Sequence, residues 1–443
     1  MKIFKHLYLN NRVFYGAFFV AVIYILAFFF PFLMNFASIL LLGLTLLTFV
    51  DVLLLFITKE PIKAQRILPE KLSNGDENFV KIDIKNLYGF NIKTKIIDEI
   101  PFQFQKRDFL IEKNIESKKN IFFQYHLEPK ERGEYSFGSL NVFVSSPFGL
   151  VSRKFIFQKD DQLPCYPSFI HLRKYELMAL NNEFMMGGIK KIRRLGHTME
   201  FEQIKEYVPG DDVRTINWKA TSKRNQLMVN QFQDEKSQRI YMIIDKGRTM
   251  QMPFNGLSLL DYSINSAMAL SHIILKKFDK AGMMTFSKKT ENKIAAENKN
   301  GQLKKIAEAL YNINTNFYES DFSRLYQDVK FSINQRSLIL LFTNFETLDA
   351  VNRQMKYLRG IAKNHLLVVV FFKNSEMLQL VGGNPDNMQE VYDEIIAEKF
   401  EMEKKLIIQE LRKHGIYSIY TLPENLNIEV INKYLEIKAR GIL

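Results

Sequence analysis

The sequence predicts a multi-domain chain: a two-helix transmembrane hairpin, then an antiparallel β-sandwich, then an α/β domain on a largely parallel sheet. Three observations predict it. Residues 13–50 contain no Asp, Glu, Lys, Arg or His, residues 65–158 run in short period-two alternations, and from Arg239 onward apolar runs alternate with helical stretches. A chain of 443 residues is too long for one core. The boundaries read as 1–58 for the anchor, 59–160 for the sandwich, 161–238 for a connecting region and 239–443 for the α/β domain.

One span needs about 20 apolar residues, so the first stretch fits two helices, near 13–33 and 36–57, with Pro31 and Asn35 marking the turn. It is too long for the apolar core of a secretory signal, which runs to about 15 residues. Lys2, Lys5 and Arg12 precede it and Lys59, Lys63 and Arg66 follow it. Positive flanks stay on the cytoplasmic side, so both termini and the soluble domains are expected on the cytoplasmic side of an inner membrane. Asp51, the one charge inside the stretch, is expected to reach water or Lys59 at the interface.

In 65–158 the segments FVKIDIKN, IKTKIID, NIFFQYHLEP, YSFGSLNVFV and LVSRKFIFQ are broken at Asn74-Gly75, Pro101, Pro129, Gly133 and Pro147-Phe148-Gly149. About seven strands of an immunoglobulin-like sandwich fit such spacing. From Arg239 the strands RIYMIID, AGMMTFS, SLILLFTN, LLVVVFF and YSIYTL are separated by helices over 257–278, 302–311, 321–331, 349–363 and 387–413, and a last helix follows. Strands apolar on both faces are those of a sheet covered on both sides. Ligands of such sheets bind beyond the carboxyl ends of the strands, here at Asp245 to Thr249 and Thr343-Asn344.

The connecting region holds the most chemically loaded stretch, YVPGDDVRTINWK, from Tyr207 to Lys219, with the only tryptophan, Trp218. Pro209 and Gly210 impose a turn, after which Asp211 and Asp212 can accept backbone N–H groups, and one can pair with the Arg214 guanidinium. The alternatives are a docking surface, an internal strut, or an acid–base pair. Upstream, Lys190, Lys191, Arg193 and Arg194 crowd a loop beside Gly187 and Gly188; with no aromatics interleaved for base stacking it reads as a solvated loop or, because it follows a membrane anchor, as a strip for lipid headgroups rather than nucleic acid.

The net charge of +13 favours an acidic partner. Cys165 is the single cysteine, so no internal disulfide or thiolate cluster forms, and the seven histidines have no zinc-site spacing. There is no phosphate-binding GxxxxGK[ST] and no GxSxG nucleophile turn. Only Asp211 and Asp212 remain as candidate catalytic groups, so the sequence reads as non-enzymatic.

DKGRTM after the first strand, TN after the fourth and the order of elements resemble a von Willebrand factor A domain of doubly wound α/β type. PGDDVRTINWK, with Glu200, Tyr207, Lys219 and Arg224 around it, resembles the signature of the bacterial membrane proteins called domain of unknown function 58. RGEY at 132–135 and SPFGL at 146–150 are similar to that family's sandwich. The resemblance implies partnership with a MoxR-type AAA+ ATPase, and hence a scaffold or adaptor in envelope assembly or stress response. The binding residues it implies are Glu200, Tyr207, Pro209, Gly210, Asp211, Asp212, Arg214, Trp218, Lys219 and Arg224. It also implies an Mg²⁺ site of the pattern Asp-x-Ser-x-Ser, threonine and aspartate. Asp245 and Thr249 match, but Gly247 supplies no hydroxyl and Asn344 replaces the last acid, while the second-loop hydroxyl is Thr315 or Ser320. The degenerate set implies no cofactor, with Asp245 capping its own turn beside Arg248.

Overall fold

The computed structural model describes residues 6–442 except 107–108, 173–175, 177–198, 235–236, 316, 375–376 and 378–386. The chain divides into two compact units, Met1–Tyr166 and Pro167–Leu443.

The first unit opens with a short strand β1 (Leu7–Leu9), then helices α1 (Asn11–Phe29) and α2 (Leu33–Phe56). Both are long and apolar enough to cross a membrane. The turn is confined to Phe30–Phe32; Asn35 lies inside α2, because no glycine or proline after Pro31 stops the helix from starting at Leu33. Next come β2 (Ile62–Ile67), β3 (Leu72–Ser73), β4 (Asn78–Asn86), β5 (Ile92–Asp98), β6 (Leu110–Ile115) and β7 (Asn120–Leu127). The remaining strands are β8 (Gly133–Phe137), β9 (Leu140–Ser145), β10 (Val151–Phe157) and β11 (Asp161–Tyr166). They form sheets ordered β1-β10-β9-β5-β6, β2-β4-β7 and β3-β11-β8. Inward residues such as Ile82, Ile84, Ile96, Val142 and Val144 share one core across the first two sheets. There are more strands than the seven expected: β1 precedes the hairpin, β3 has only two residues, and β11 carries Pro164.

Arg66 lies buried in this unit between Asp98 (2.6 Å) and Asp161 (2.7 Å), its guanidinium over the Phe137 ring. Burial alone would lower its pKa, but the two carboxylates outweigh burial and raise it. Desolvation raises the Asp98 carboxyl even so, although Arg66 and the Tyr125 hydroxyl both favour its charged form.

The second unit contains a two-stranded antiparallel ribbon, β12 (Met199–Glu206) and β13 (Met228–Asp234), interrupted by helix α3 (Trp218–Arg224). A larger sheet follows: β14 (Arg239–Asp245), the small hairpin β15 (Pro253–Phe254) and β16 (Leu257–Ser258), α4 (Leu259–Lys276), β17 (Lys280–Phe286) and β18 (Thr290–Glu297). The chain continues through α5 (Gln302–Tyr311), α6 (Phe322–Ser332), β19 (Leu338–Phe342), α7 (Leu348–Asn364), β20 (Leu366–Phe372), α8 (Met388–Lys413), β21 (Tyr417–Thr421) and α9 (Leu426–Arg440). The sheet order is β18-β17-β14-β19-β20-β21, parallel except for the antiparallel edge strand β18. Ile240, Met242 and Ile244 face a core shared with α4, α5 and α9, while Tyr241 and Ile243 face α6, α7 and the carboxyl half of α8. Helix α4 starts at a capping box, in which Ser258 and Asp261 satisfy each other's backbone N–H groups.

Candidate functional site

The stretch 207–227 is inserted between β12 and β13, and Tyr207 N–H donates to Leu227 O (2.8 Å) where it leaves the ribbon. Val208, Pro209, Gly210 and Asp211 make a β-turn closed by Asp211 N–H to Val208 O at 2.9 Å. Gly210 sits at φ +110°, a conformation that disfavours any side chain. Asp211 then ties the turn back: its Oδ2 accepts Val208 N–H (3.0 Å) and its Oδ1 accepts Lys205 Nζ (2.8 Å). The hydrogen bond from Lys205, then that from Val208, lowers the Asp211 pKa, so it is a fixed anion and a poor proton donor at neutral pH. Asp212 caps the 3₁₀ turn Val213–Thr215 by accepting Arg214 N–H at 3.0 Å. Asn217 caps α3 through Ala220 N–H and donates to Asn230 Oδ1 at 2.8 Å.

The acids and amides of the stretch are therefore spent on holding its backbone. The expected pairing of an aspartate with the Arg214 guanidinium does not form: only the backbone of Arg214 meets Asp212, and its side chain is exposed. Lys205 takes that role because it sits six residues back on β12, facing the turn. What the fold leaves unused is an apolar and basic display. Trp218 is 70% exposed, with Val208, Val213 and Leu227 exposed as well, and the side chains of Arg214, Lys219, Lys223 and Arg224 face solvent. Tyr207 is half-buried and Pro209 exposed, while Glu200 lies on β12 opposite Gln233. The basic loop at 190–194 lies outside the described residues.

At the carboxyl end of β14, Asp245 is buried. Its Oδ1 accepts Gly247 N–H (2.8 Å) and the Ser320 hydroxyl, and its Oδ2 accepts Thr343 Oγ1 (2.7 Å). Desolvation raises its pKa against those three hydrogen bonds. Ser320 is thus the second-loop hydroxyl, while Thr315 donates to Gln251 instead. Arg248 pairs with Glu319 (3.2 Å), not with Asp245. A hard cation prefers several anionic oxygens. Here one carboxylate stands among neutral donors, both its oxygens already accept from the protein, and no cluster of three His, Cys, Asp or Glu occurs among the described residues. A serine at 247 would not fit without movement, since a Cβ there would lie 2.1 Å from the Ser320 hydroxyl. The one feature favouring a cation is Asn344 Oδ1, buried without a partner among the described residues. The donors fit an Mg²⁺ site poorly and a loop strut well.

Sequence reasoning missed Lys205 and Asn217 as parts of these networks, and placed Thr343 at the sheet edge without its bond to Asp245. Asn217 was recoverable, because an asparagine three residues before a helical N–H is a cap signal.

Residues 203–384 match the family "Protein of unknown function DUF58". The DUF58 match covers most of the ribbon with its insertion and the sheet through β20, and stops before α8. A relative, "Uncharacterized protein YeaD" of Bacillus subtilis (strain 168), is 25% identical over 171 residues. That alignment covers 39% of this chain, and the chain spans only 40% of the relative's length. Among solved structures, similarity extends to PapD-like domain 7 of human CEP192, at TM-score 0.19 and 15% identity, covering 24% of this chain and 87% of that one. Proximal thread matrix protein 1 from the mussel byssus aligns at TM-score 0.26 and 8% identity, over 46% of this chain and 47% of that one. Scores this low carry no argument about fold or function.

Proposed function

We propose that this chain is a membrane-anchored, non-enzymatic adaptor whose 207–227 insertion docks a protein partner, a MoxR-type AAA+ ATPase or its client, in bacterial envelope assembly or stress response. The carrying observation is the division of labour within the insertion. Its acids hold the backbone, while Trp218, Val213 and the neighbouring cations are presented to solvent. Tryptophan and arginine on a rigid, preorganised tip are the residue types that dominate protein interfaces. The sheet order, with β18 as its only antiparallel strand, supports reading the second unit as a doubly wound, von Willebrand factor A-like domain, a fold that hosts many functions.

The test is affinity capture from solubilised membranes, comparing wild type with Trp218→Ala and Arg214→Ala at low and high salt, with and without ATP. Retention of an AAA+ ATPase through high salt, lost with variants that melt like wild type, supports the adaptor. The four cations of the tip favour a second reading, binding of anionic lipid headgroups. In that case lipid alone is retained, and only at low salt. The anchor's positive flanks support a cytoplasmic side for the soluble parts. Cys165 is buried, so an exposed Ser222→Cys reports the side instead: labelling by an impermeant maleimide from outside intact spheroplasts contradicts that orientation.

A further inference from the structure

Helix α8 has two apolar faces, and among the described residues the fold packs only one. Near its carboxyl end Ile407 and Leu411 are buried against the sheet, Lys404 Nζ donates to Phe345 O, and Glu401 accepts the Tyr420 hydroxyl at 2.8 Å. On the other side Met388 (76%), Tyr392 (63%), Ile395 (59%), Met402 (64%) and Leu406 are exposed. At about 100° per residue, this stripe points roughly 120° away from Ile407 and Leu411. With Lys399 in the vacant place, its spacing is four, three, four, three, four. That repeat of about 3.5 is the seam into which a second helix sets its side chains. A sheet or flat surface does not require such a period.

Charge narrows the occupant. Residues 388–406, the length of the stripe, carry Glu390, Asp393, Glu394, Glu398, Glu401 and Glu403 against Lys399, Lys404 and Lys405, in a chain whose net charge is +13. This half-helix repels anionic lipid and nucleic acid and attracts a basic surface. Parallel self-pairing would set Lys399 against Lys399 and Glu398 against Glu403 of the second copy, both unfavourable. We propose that the amino-terminal half of α8 docks an amphipathic helix of a partner protein, with an apolar heptad seam, lysine- or arginine-rich flanks, and an acid or amide opposite Lys399. The site lies outside the DUF58 match and does not depend on what binds the 207–227 insertion.

The test uses the full chain in phosphatidylcholine nanodiscs and a fluorescein-labelled synthetic helix of about 21 residues, three heptads, with leucine on the seam and lysine on its flanks. Fluorescence anisotropy should show saturable binding that Ile395→Asp weakens by about tenfold or more. The double substitution Glu398→Lys with Glu403→Lys should weaken the lysine peptide similarly and create binding of a glutamate-flanked version. Should Ile395→Asp fail to fold, the double variant still decides. Equal binding of a scrambled peptide of the same composition would overturn the proposal. So would indifference to both variants, or sedimentation as an oligomer that Ile395→Asp dissociates, which would assign the face to a second copy.

Discussion

Asp51 Oδ2 accepts the backbone N–H of Val151 at 2.9 Å, and that of Leu150 at 3.0 Å, so the one carboxylate of the apolar hairpin is fixed to the start of β10. Instead of reaching water or Lys59, it is fully buried. Around it Arg153 donates to Leu55 O (2.6 Å) and Tyr88 to the same carbonyl (2.7 Å), and Arg12 donates to Phe148 O (3.0 Å). The SPFGL turn is thus the socket of the second helix. Asp51→Ala strands two N–H groups and should cost about 2–4 kcal/mol. Thermal unfolding in detergent should show the loss, together with faster tryptic cleavage at Arg153.

Arg66 is the polar hub of the sandwich. Arg66→Leu leaves Asp98 buried and unpaired and should cost about 3–5 kcal/mol, whereas adding Asp98→Leu should recover part of that loss. Urea unfolding of the two variants and the double variant checks both halves.

Asp212 and Trp218 should separate stability from binding. Asp212→Ala removes a cap on an exposed turn and should cost about 1 kcal/mol, not the larger penalty of a stranded buried arginine. Trp218→Ala should leave the melting midpoint unchanged and abolish partner capture.

Asp245→Ala frees the Gly247 N–H and two hydroxyls, so it should destabilise the second unit by about 2–4 kcal/mol. With Asp245 acting as a strut, millimolar Mg²⁺ should not move the melting midpoint. A rise in the midpoint that Asp245→Ala abolishes would instead establish a metal site.

Burial lowers Lys404 from 10.5 to about 8, only partly offset by Glu346, Glu403 and Glu401. Between those values the unfolded chain binds the extra proton, so Lys404 makes stability rise with pH from about 8 to 10.5. Lys404→Met should flatten that rise, which is at most about 3 kcal/mol, in urea titrations across the range.

The sequence by itself determined the elements whose signal is local. The charge-free stretch dictated α1 and α2, the Val/Ile/Leu runs dictated β14, β19 and β20, and Pro209-Gly210 dictated the turn. Strand β18, TENKIAAE, escaped because an edge strand pairs on one side only and needs no continuous apolar run. The tertiary structure alone decided the partners. Ser320 rather than Thr315 meets Asp245 from 75 residues away, Asp51 meets Val151 from 100 away, and Lys205 rather than Arg214 reaches Asp211. Residue type and local period specify an element and its buried face, but which donor meets which acceptor depends on how separate elements stack, and no short window of sequence contains that information.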